Sequence, residues 1–175
     1  MSSLNQISQL YARRHPHDVA RALEALEPAS VALWLAEVEP EVAAKVARRF
    51  SPILGRESMK ALTAEKRAQI LAEFPPHLGA SLLRRLGEVE RQRSLQFMPP
   101  ARRQALEVLL HFPEGTTGAL MNPDYLALPD DMRIGEAIKR IQKETDDFSF
   151  YVFVINRAHI LLGVISIRDL LGQPI

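Results

Sequence analysis

Apolar residues recur along the first 112 residues of the chain with a period of 12. Counted from residue 16 in steps of 12, the position ten residues on is apolar in all eight repeats, and the position seven residues on is apolar in all but one. A fixed period of this kind indicates a stacked repeat architecture. The positions seven residues on are Leu23, Leu35, Ala47, Met59, Leu71, Leu83 and Leu95; those ten residues on are Leu26, Val38, Phe50, Leu62, Phe74, Leu86, Met98 and Leu110.

Proline marks the start of most repeats, because its missing N–H costs nothing in a first helical turn and it disfavours helical geometry in the residue before it. Ser51 and Thr63 each precede a repeat start and suit the N-cap role. The pattern predicts about eight short helices over residues 4–111, each too short to be stable alone and stabilised by stacking. The starting positions are Pro16, Pro28, Pro40, Pro52, Ala64, Pro76, Glu88 and Pro100.

The period stops after His111, and a different pattern follows. A short extended segment at 125–128 precedes a helix whose apolar face is Ile134, Ala137, Ile138 and Ile141. Segments 150–155 and 160–166 are rich in β-branched and aromatic residues, as strands are, and a further helix starts at residue 167. The sequence therefore predicts two domains: an α-helical repeat (superhelical) domain at 1–112 and a β-α-β-β-α domain of α/β class at 113–175.

The composition of the chain excludes several classes of protein and of site. The chain has 175 residues, 47% of them hydrophobic, and no cysteine, so disulfides and thiolate metal sites are excluded. No apolar run approaches the roughly 20 residues that span a bilayer, and the N-terminus lacks the features of a signal peptide, so a cytoplasmic location is expected. Residues 1–112 carry 16 Lys/Arg and 12 Asp/Glu, a net charge of +4, whereas residues 113–175 carry 6 and 9, a net charge of −3.

Neither catalysis nor nucleic-acid binding is expected. No Ser/His/Asp set, metal-spaced His pair, glycine-rich phosphate loop or cysteine nucleophile stands out, so the chain is not expected to be an enzyme. A basic run could bind phosphate, but it has no interleaved aromatic residues on which bases would stack, so nucleic acid is not an expected partner. That run consists of Arg84, Arg85, Arg91, Arg93, Arg102 and Arg103.

The C-terminal pattern resembles a cystathionine-β-synthase (CBS) domain. Residues 163–169, Gly-Val-Ile-Ser-Ile-Arg-Asp, follow that family's ending of Gly, an apolar residue, Ser or Thr, and Asp, and a hairpin precedes them. Taken as a whole, the chain is similar to the cytosolic region of MgtE-type magnesium transporters. Two further segments carry that resemblance: residues 118–123, Gly-Ala-Leu-Met-Asn-Pro, and residues 15–18, His-Pro-His-Asp.

The resemblance implies a regulatory, magnesium-sensing cytosolic region of a divalent-cation transporter, on the cytosolic face of the inner membrane. In that family Mg²⁺ bridges acidic faces of the helical and CBS domains, and this ion-dependent packing gates the pore. A homodimer through the CBS domain is expected, with a membrane domain in the same chain if the native gene continues. The alternative is a soluble CBS-type sensor of adenine nucleotides, or a protein-interaction adaptor, with no role in transport.

The resemblance also nominates ligand positions. A backbone carbonyl contact to Mg²⁺ falls at Gly118 and Ala119. Ser166 and Asp169 match the residues that hold ATP or AMP in CBS domains; the alternative is that they end a strand and start a helix. Four aspartates are further candidate oxygen ligands for Mg²⁺, unless they only cap helices and solvate turns. They are Asp130, Asp131, Asp146 and Asp147.

One departure from the family concerns the acidic face of the helical domain. Where family acids align, this chain has Lys45, Val89 and Arg93. Because an acidic face is what Mg²⁺ neutralises, we expect magnesium sensing in this chain to be weakened or moved.

Overall fold

Each starting position of the 12-residue period begins a helix. The structure is a computed structural model that describes residues 3–123, 125–143 and 151–172. One helix, α1 (Ser3–Arg14), precedes the repeats. The eight that follow are α2 (Pro16–Leu23), α3 (Pro28–Glu37), α4 (Pro40–Ala47), α5 (Pro52–Ala61), α6 (Ala64–Ala72), α7 (Pro76–Arg85), α8 (Glu88–Gln96) and α9 (Pro100–His111). The predicted helical repeat is therefore confirmed.

The helices alternate between two layers. The even layer consists of α2, α4, α6 and α8, each packed on the next, and the odd layer consists of α3, α5, α7 and α9. Helices of the odd layer end at an extended residue such as Val38 or Leu62, whereas those of the even layer end at a helical residue such as Glu24 or Arg48. The structural unit is thus a helix pair of 24 residues, twice the sequence period.

The repeat positions form the core of the helical unit. All seven apolar residues at the position seven from each start are buried in one cluster. The position ten from each start is buried or half-buried except at Leu26, in the first repeat, which is 48% exposed. The side chains of Ser51 and Thr63 accept hydrogen bonds from the backbone N–H groups of Leu54 and Lys66, so both predicted N-caps are confirmed.

Cationic side chains from one helix stabilise the C-terminal ends of others. Lys66 Nζ donates to the carbonyl of Val38 at 3.0 Å, at the end of α3. Arg102 Nε donates to the carbonyl of Ala72 at 2.7 Å, at the end of α6. The last carbonyls of a helix lack intrahelical donors and carry partial negative charge. These cations donate hydrogen bonds to such carbonyls and offset their charge. Much of the positive charge of the helical unit is therefore structural.

A short helix, α10 (Thr117–Leu120), packs against α7 and α9. The side chain of Thr116 caps it by accepting from the N–H of Ala119. A Cβ on Gly118 would lie 2.5 Å from the ring of Phe112, so glycine is required there by close packing. Residues 1–123 form one compact unit and residues 124–175 another. The domain boundary after residue 112 stays a prediction.

The second unit has the predicted β-α-β-β-α order, and the predicted fold class is confirmed. Its elements are β1 (Ala127–Pro129), α11 (Ile134–Lys143), β2 (Tyr151–Ile155), β3 (Leu161–Ser166) and α12 (Ile167–Leu171). The sheet order is β1-β2-β3, with β1 parallel to β2 and β2 antiparallel to β3. A parallel pair needs a crossover connection, which α11 supplies. No helix in the described part of the chain has the length and hydropathy needed to cross a membrane.

Candidate functional site

A cavity of about 1020 Å³ lies in the second unit, between α11, β2 and α12. Its wall is mainly apolar, and its polar groups are concentrated at the start of α12. Concave, mostly apolar sites with a few placed polar groups are typical of small-molecule binding. The apolar wall is formed by Ile138, Ile141, Tyr151, Ile167 and Leu171, and the polar groups belong to Gln142, Ser166, Arg168 and Asp169.

The structure brings Ser166 and Asp169 to this one cavity. Ser166 is the last residue of β3, and its Oγ accepts a hydrogen bond from the backbone N–H of Asp169 at 3.0 Å. The hydroxyl proton of Ser166 and the exposed carboxylate of Asp169 remain available to a ligand. Arg168, which the sequence analysis did not single out, adds a cation to the same wall. An apolar wall beside a hydroxyl, a carboxylate and a guanidinium can receive a ring that carries hydroxyl and anionic groups.

The backbone carbonyls of Gly118 and Ala119 both have donors within the protein. The Gly118 carbonyl accepts from the N–H of Met121 at 3.3 Å, and the Ala119 carbonyl accepts from Arg84 Nη1 at 3.3 Å. The other terminal nitrogen of Arg84 donates to the carbonyls of Leu109 and Phe112. A guanidinium thus lies at the end of α9 and α10, at the position that the resemblance gave to a divalent cation.

The candidate aspartates lie in a turn as far as the structure describes them. Asp130 and Asp131 are exposed between β1 and α11, and Asp131 Oδ2 pairs with Arg157 Nη2 of the β2–β3 turn at 3.1 Å. Asp146 and Asp147 lie outside the described residues. Within residues 3–123, 125–143 and 151–172, the His, Asp and Glu side chains form no group of three or more suited to a metal ion. The assignment of these aspartates to a Mg²⁺ site stays a prediction.

The three residues that the resemblance aligns with family acids lie on the even layer, in α4 and α8. Lys45 Nζ donates to Glu41 Oε1 at 2.7 Å, and this bond and the lysine charge lower the pKa of Glu41. Arg93 and Val89 are exposed on α8. At these positions the even layer therefore presents a cation paired with a carboxylate, an apolar group and a second cation, rather than unpaired carboxylates.

The basic run does not form one continuous binding surface. Arg84 and Arg102 direct their guanidinium groups at backbone carbonyls, as described above. Arg91 pairs with Glu88, and Arg103 lies 3.9 Å from Glu107 on the same helix. Most of these charges are committed within the helical unit.

One face of the sheet in the second unit carries exposed apolar side chains. Val152 and Leu128 point to the helices and are buried. Phe153 and Val164 are paired across β2 and β3 on the opposite face, and Tyr125 packs edge-on against Phe153 at 5.6 Å between ring centroids. Val164 is 51% exposed and Tyr125 is 58% exposed. Within residues 125–143 and 151–172, no element covers this face, which is called here the open sheet face.

Two family models match the chain. The MgtE intracellular N domain matches residues 14–115, and the CBS domain matches residues 118–174. The chain is similar to the magnesium transporter MgtE of Thermus thermophilus, with 30% identity over 82 residues that cover 46% of this chain. The magnesium transporter MgtE of Bacillus subtilis is 30% identical over 83 residues. Each match spans 18% of the relative's length.

Solved structures share the fold. The soluble part of a magnesium transporter superposes with a TM-score of 0.83 and 20% identity, covering 97% of this chain and 68% of that chain. The cytosolic domain of the Mg²⁺ channel MgtE in complex with ATP gives a TM-score of 0.79 and 24% identity, covering 95% and 69%. A helical unit followed along the chain by a small sheet unit is thus common to these proteins.

Proposed function

Because the chain belongs to the MgtE intracellular N domain family, we propose that it is the cytosolic regulatory region of a magnesium transporter. One observation carries the proposal: an MgtE intracellular N domain is followed directly by a CBS domain in one chain. In this proposal the membrane-spanning pore belongs to the transporter outside these 175 residues, and Mg²⁺ is its cargo. This region regulates the transporter by binding ligands at the cytosolic face of the membrane, and it catalyses no reaction.

We propose further that Mg²⁺ sensing in this region is weaker than in relatives with an acidic even layer, or lies elsewhere. The support is the chemistry of the described candidates: Ala119 is bonded to Arg84, Asp131 is paired with Arg157, and Lys45 offsets Glu41. A guanidinium or ammonium beside these oxygens repels a divalent cation, so such oxygens are poorer ligands for Mg²⁺ than unpaired carboxylates.

Small-angle scattering tests this proposal by comparing the radius of gyration of the native chain and of a variant before and after Mg²⁺ is added. The native chain is expected to keep its radius of gyration when millimolar Mg²⁺ is added. The double variant Lys45→Glu, Arg93→Glu restores carboxylates on the even layer and is expected to compact on addition of Mg²⁺, because the ion would neutralise them. Arg21→Glu with Lys60→Glu is the control with the same change of charge elsewhere on the helical unit. Sharp compaction of the native chain would contradict the proposal, and so would compaction of both double variants alike.

A second candidate function is binding of an adenine nucleotide in the cavity of the second unit. The supporting observation is that Ser166 and Asp169, nominated from the sequence, line one apolar-walled cavity together with Arg168. A solved relative of the same fold holds ATP. In this chain the Asp169 carboxylate would accept from ribose hydroxyls, and the Arg168 guanidinium would offset phosphate charge.

Isothermal titration with ATP and AMP measures this binding. Asp169→Asn is expected to weaken binding roughly tenfold, the effect of losing one charge-assisted hydrogen bond of about 1.5 kcal/mol. Asp131→Asn, on an exposed turn, is the matched control and should bind as the native chain does. Equal affinities of native chain and Asp169→Asn would exclude the proposed role of Asp169, and no heat with either nucleotide would exclude the site.

We also propose that the chain forms a homodimer through the open sheet face. A three-stranded sheet with helices on one side only leaves its other apolar face to water, and contiguous exposed apolar patches mark interaction surfaces. Tyr125, Phe153 and Val164 supply apolar surface to this face, and aromatic side chains are enriched in the core of protein interfaces. A second copy of the same face is self-complementary in the way that a two-fold interface requires.

A further inference from the structure

Arg84, in the last turn of α7, lies where the C-terminal ends of two other helices converge. Its Nη1 donates to the carbonyl of Ala119 in α10 at 3.3 Å. Its Nη2 donates to the carbonyl of Phe112 at 3.2 Å and to that of Leu109, at the end of α9. Such terminal carbonyls carry partial negative charge, so two sets of them repel each other when they approach. A cation between them stabilises the approach of α10 to α9.

The other contacts of α10 give it little apolar burial. The helix is four residues long, and a helix of that length is not stable by itself. Of these four residues, all described by the structure, Ala119 alone is buried, and Leu120 is 77% exposed. The hydrogen bonds of Arg84 are therefore a large part of what holds α10 against the helical unit.

The acceptors around Arg84 suit a guanidinium better than a metal ion. All three are neutral carbonyl oxygens, and no carboxylate in the described part of the chain pairs with Arg84. Mg²⁺ is bound mainly through carboxylates and gives up its water molecules reluctantly. A guanidinium is weakly hydrated and spreads its N–H donors over a plane, so it can reach several carbonyls at once. The site is thus matched to the cation that the chain itself supplies.

We propose that Arg84 is a positioning residue: a fixed internal cation that holds α10 on the helical unit and so sets the length of the free connection to the second unit. The CBS family match begins at residue 118, yet residues 118–123 belong to the helical unit. Residues 121–126 connect α10 to β1, and release of α10 would extend that connection to residues 112–126. The length of a flexible connection sets the effective concentration of one unit at the other. This role of Arg84 does not depend on transport, on nucleotide binding or on the dimer.

Hydrogen exchange of the N–H groups of Ala119 and Met121 tests the proposal on the intact 175-residue chain. Both groups are hydrogen-bonded within residues 116–121. Arg84→Met keeps an apolar stem but removes every donor, and it should speed exchange of both groups about tenfold. Arg85→Met changes the next, exposed residue of α7 by the same charge, and this control should exchange as the native chain does.

Chemical rescue separates the guanidinium group from the packing of its stem. Arg84→Ala leaves room for a small cation, so millimolar methylguanidinium should return exchange of Ala119 towards the native rate. Mg²⁺ at the same concentration should not, because the three carbonyls offer it no carboxylate. Arg84→Lys retains a charge but not the planar set of donors, and its exchange rate should lie between those of the native chain and Arg84→Met.

Distances between two spin labels measure the effect on the connection. The chain has no cysteine, so Lys60→Cys in α5 and Ala158→Cys in the β2–β3 turn place one label on each unit. In this labelled chain Arg84→Met should broaden the distribution of distances, and Arg85→Met should leave it unchanged.

The proposal fails if the native chain and Arg84→Met exchange alike, since α10 would then be held without the guanidinium. Rescue of Arg84→Ala by Mg²⁺ would show a divalent-cation site instead, and no rescue by methylguanidinium would show that only the stem of Arg84 matters. A distance distribution that Arg84→Met leaves unchanged would show that α10 does not set the length of the connection.

Discussion

Arg67→Met is expected to lower the free energy of unfolding of the helical unit by about 3 kcal/mol. The Arg67 side chain is buried, with 3% of the residue exposed. Its Nε donates to Ser94 Oγ at 2.7 Å, and its Nη1 donates to the carbonyls of Met59 at 3.0 Å and Leu62 at 3.4 Å. Its Nη2 donates to the carbonyl of Glu90 at 3.4 Å. One side chain therefore joins α5, α6 and α8.

The expected loss follows from what methionine leaves behind. Methionine fills nearly the same volume, so the cost is not mainly that of a cavity. It removes every donor while the carbonyls at the end of α5 stay buried, and unsatisfied buried acceptors cost about 1–3 kcal/mol each. Burial lowers the pKa of Arg67, but a guanidinium stays charged at neutral pH. Arg67→Lys keeps a cation and some of the hydrogen bonds, so its free energy of unfolding should lie between those of the native chain and Arg67→Met.

Urea unfolding monitored by Trp34 fluorescence measures this effect, since Trp34 is the one tryptophan and packs against the core of the helical unit. Arg21→Met, an exposed arginine on α2, is the control and should change stability by less than about 0.5 kcal/mol. A loss below about 1 kcal/mol for Arg67→Met would show that the buried guanidinium is not the junction of these helices.

Val164→Asp is expected to weaken dimerisation about 1,000-fold. In a two-fold interface each copy contributes one Val164, so the change buries two unpaired carboxylates at a cost of about 2 kcal/mol each. Because Val164 is 51% exposed within its own unit, the monomer should fold as before. Val108→Asp is a matched control, since Val108 on α9 has the same side chain and is 52% exposed.

Sedimentation equilibrium over a range of protein concentrations measures the dimerisation constant. The native chain and Val108→Asp should dimerise with the same constant, and Val164→Asp should be monomeric over the same range. A monomeric native chain would contradict the dimer, and a dimer that Val164→Asp leaves intact would place its interface on another surface.

The repeat period predicted the helix starts because proline and apolar spacing act locally. Pro28 and Pro76 mark first turns by their missing N–H, and Leu35 and Leu83 are buried wherever the helices stack. The pairing of helices depends on contacts between repeats, which a single 12-residue period does not encode. The two starting positions without proline, Ala64 and Glu88, both begin helices of the even layer. This difference between alternate repeats was the one indication in the sequence of a 24-residue unit.

Functional residues that belong to a short sequence motif could be predicted, and those whose partners lie far along the chain could not. The family was confirmed, and Ser166 and Asp169 share a cavity because the strand-to-helix motif places them on one turn. The role of Arg84 could not be predicted, because its carbonyl acceptors follow it by 25 to 35 residues. Arg67 gave one weak signal: it occupies a position that is Val, Ala or Gly in five of the other seven repeats.

Mg²⁺ flux through the full-length product of the gene that encodes this chain tests the central claim most directly. The protein is reconstituted into liposomes loaded with a Mg²⁺-sensitive dye, with residues 1–175 either present or deleted. We expect Mg²⁺ flux in both preparations, and we expect its dependence on Mg²⁺ and ATP at the cytosolic side to change when the region is deleted. Absence of flux from the intact protein, or flux with the same ligand dependence in both preparations, would contradict a regulatory role in magnesium transport.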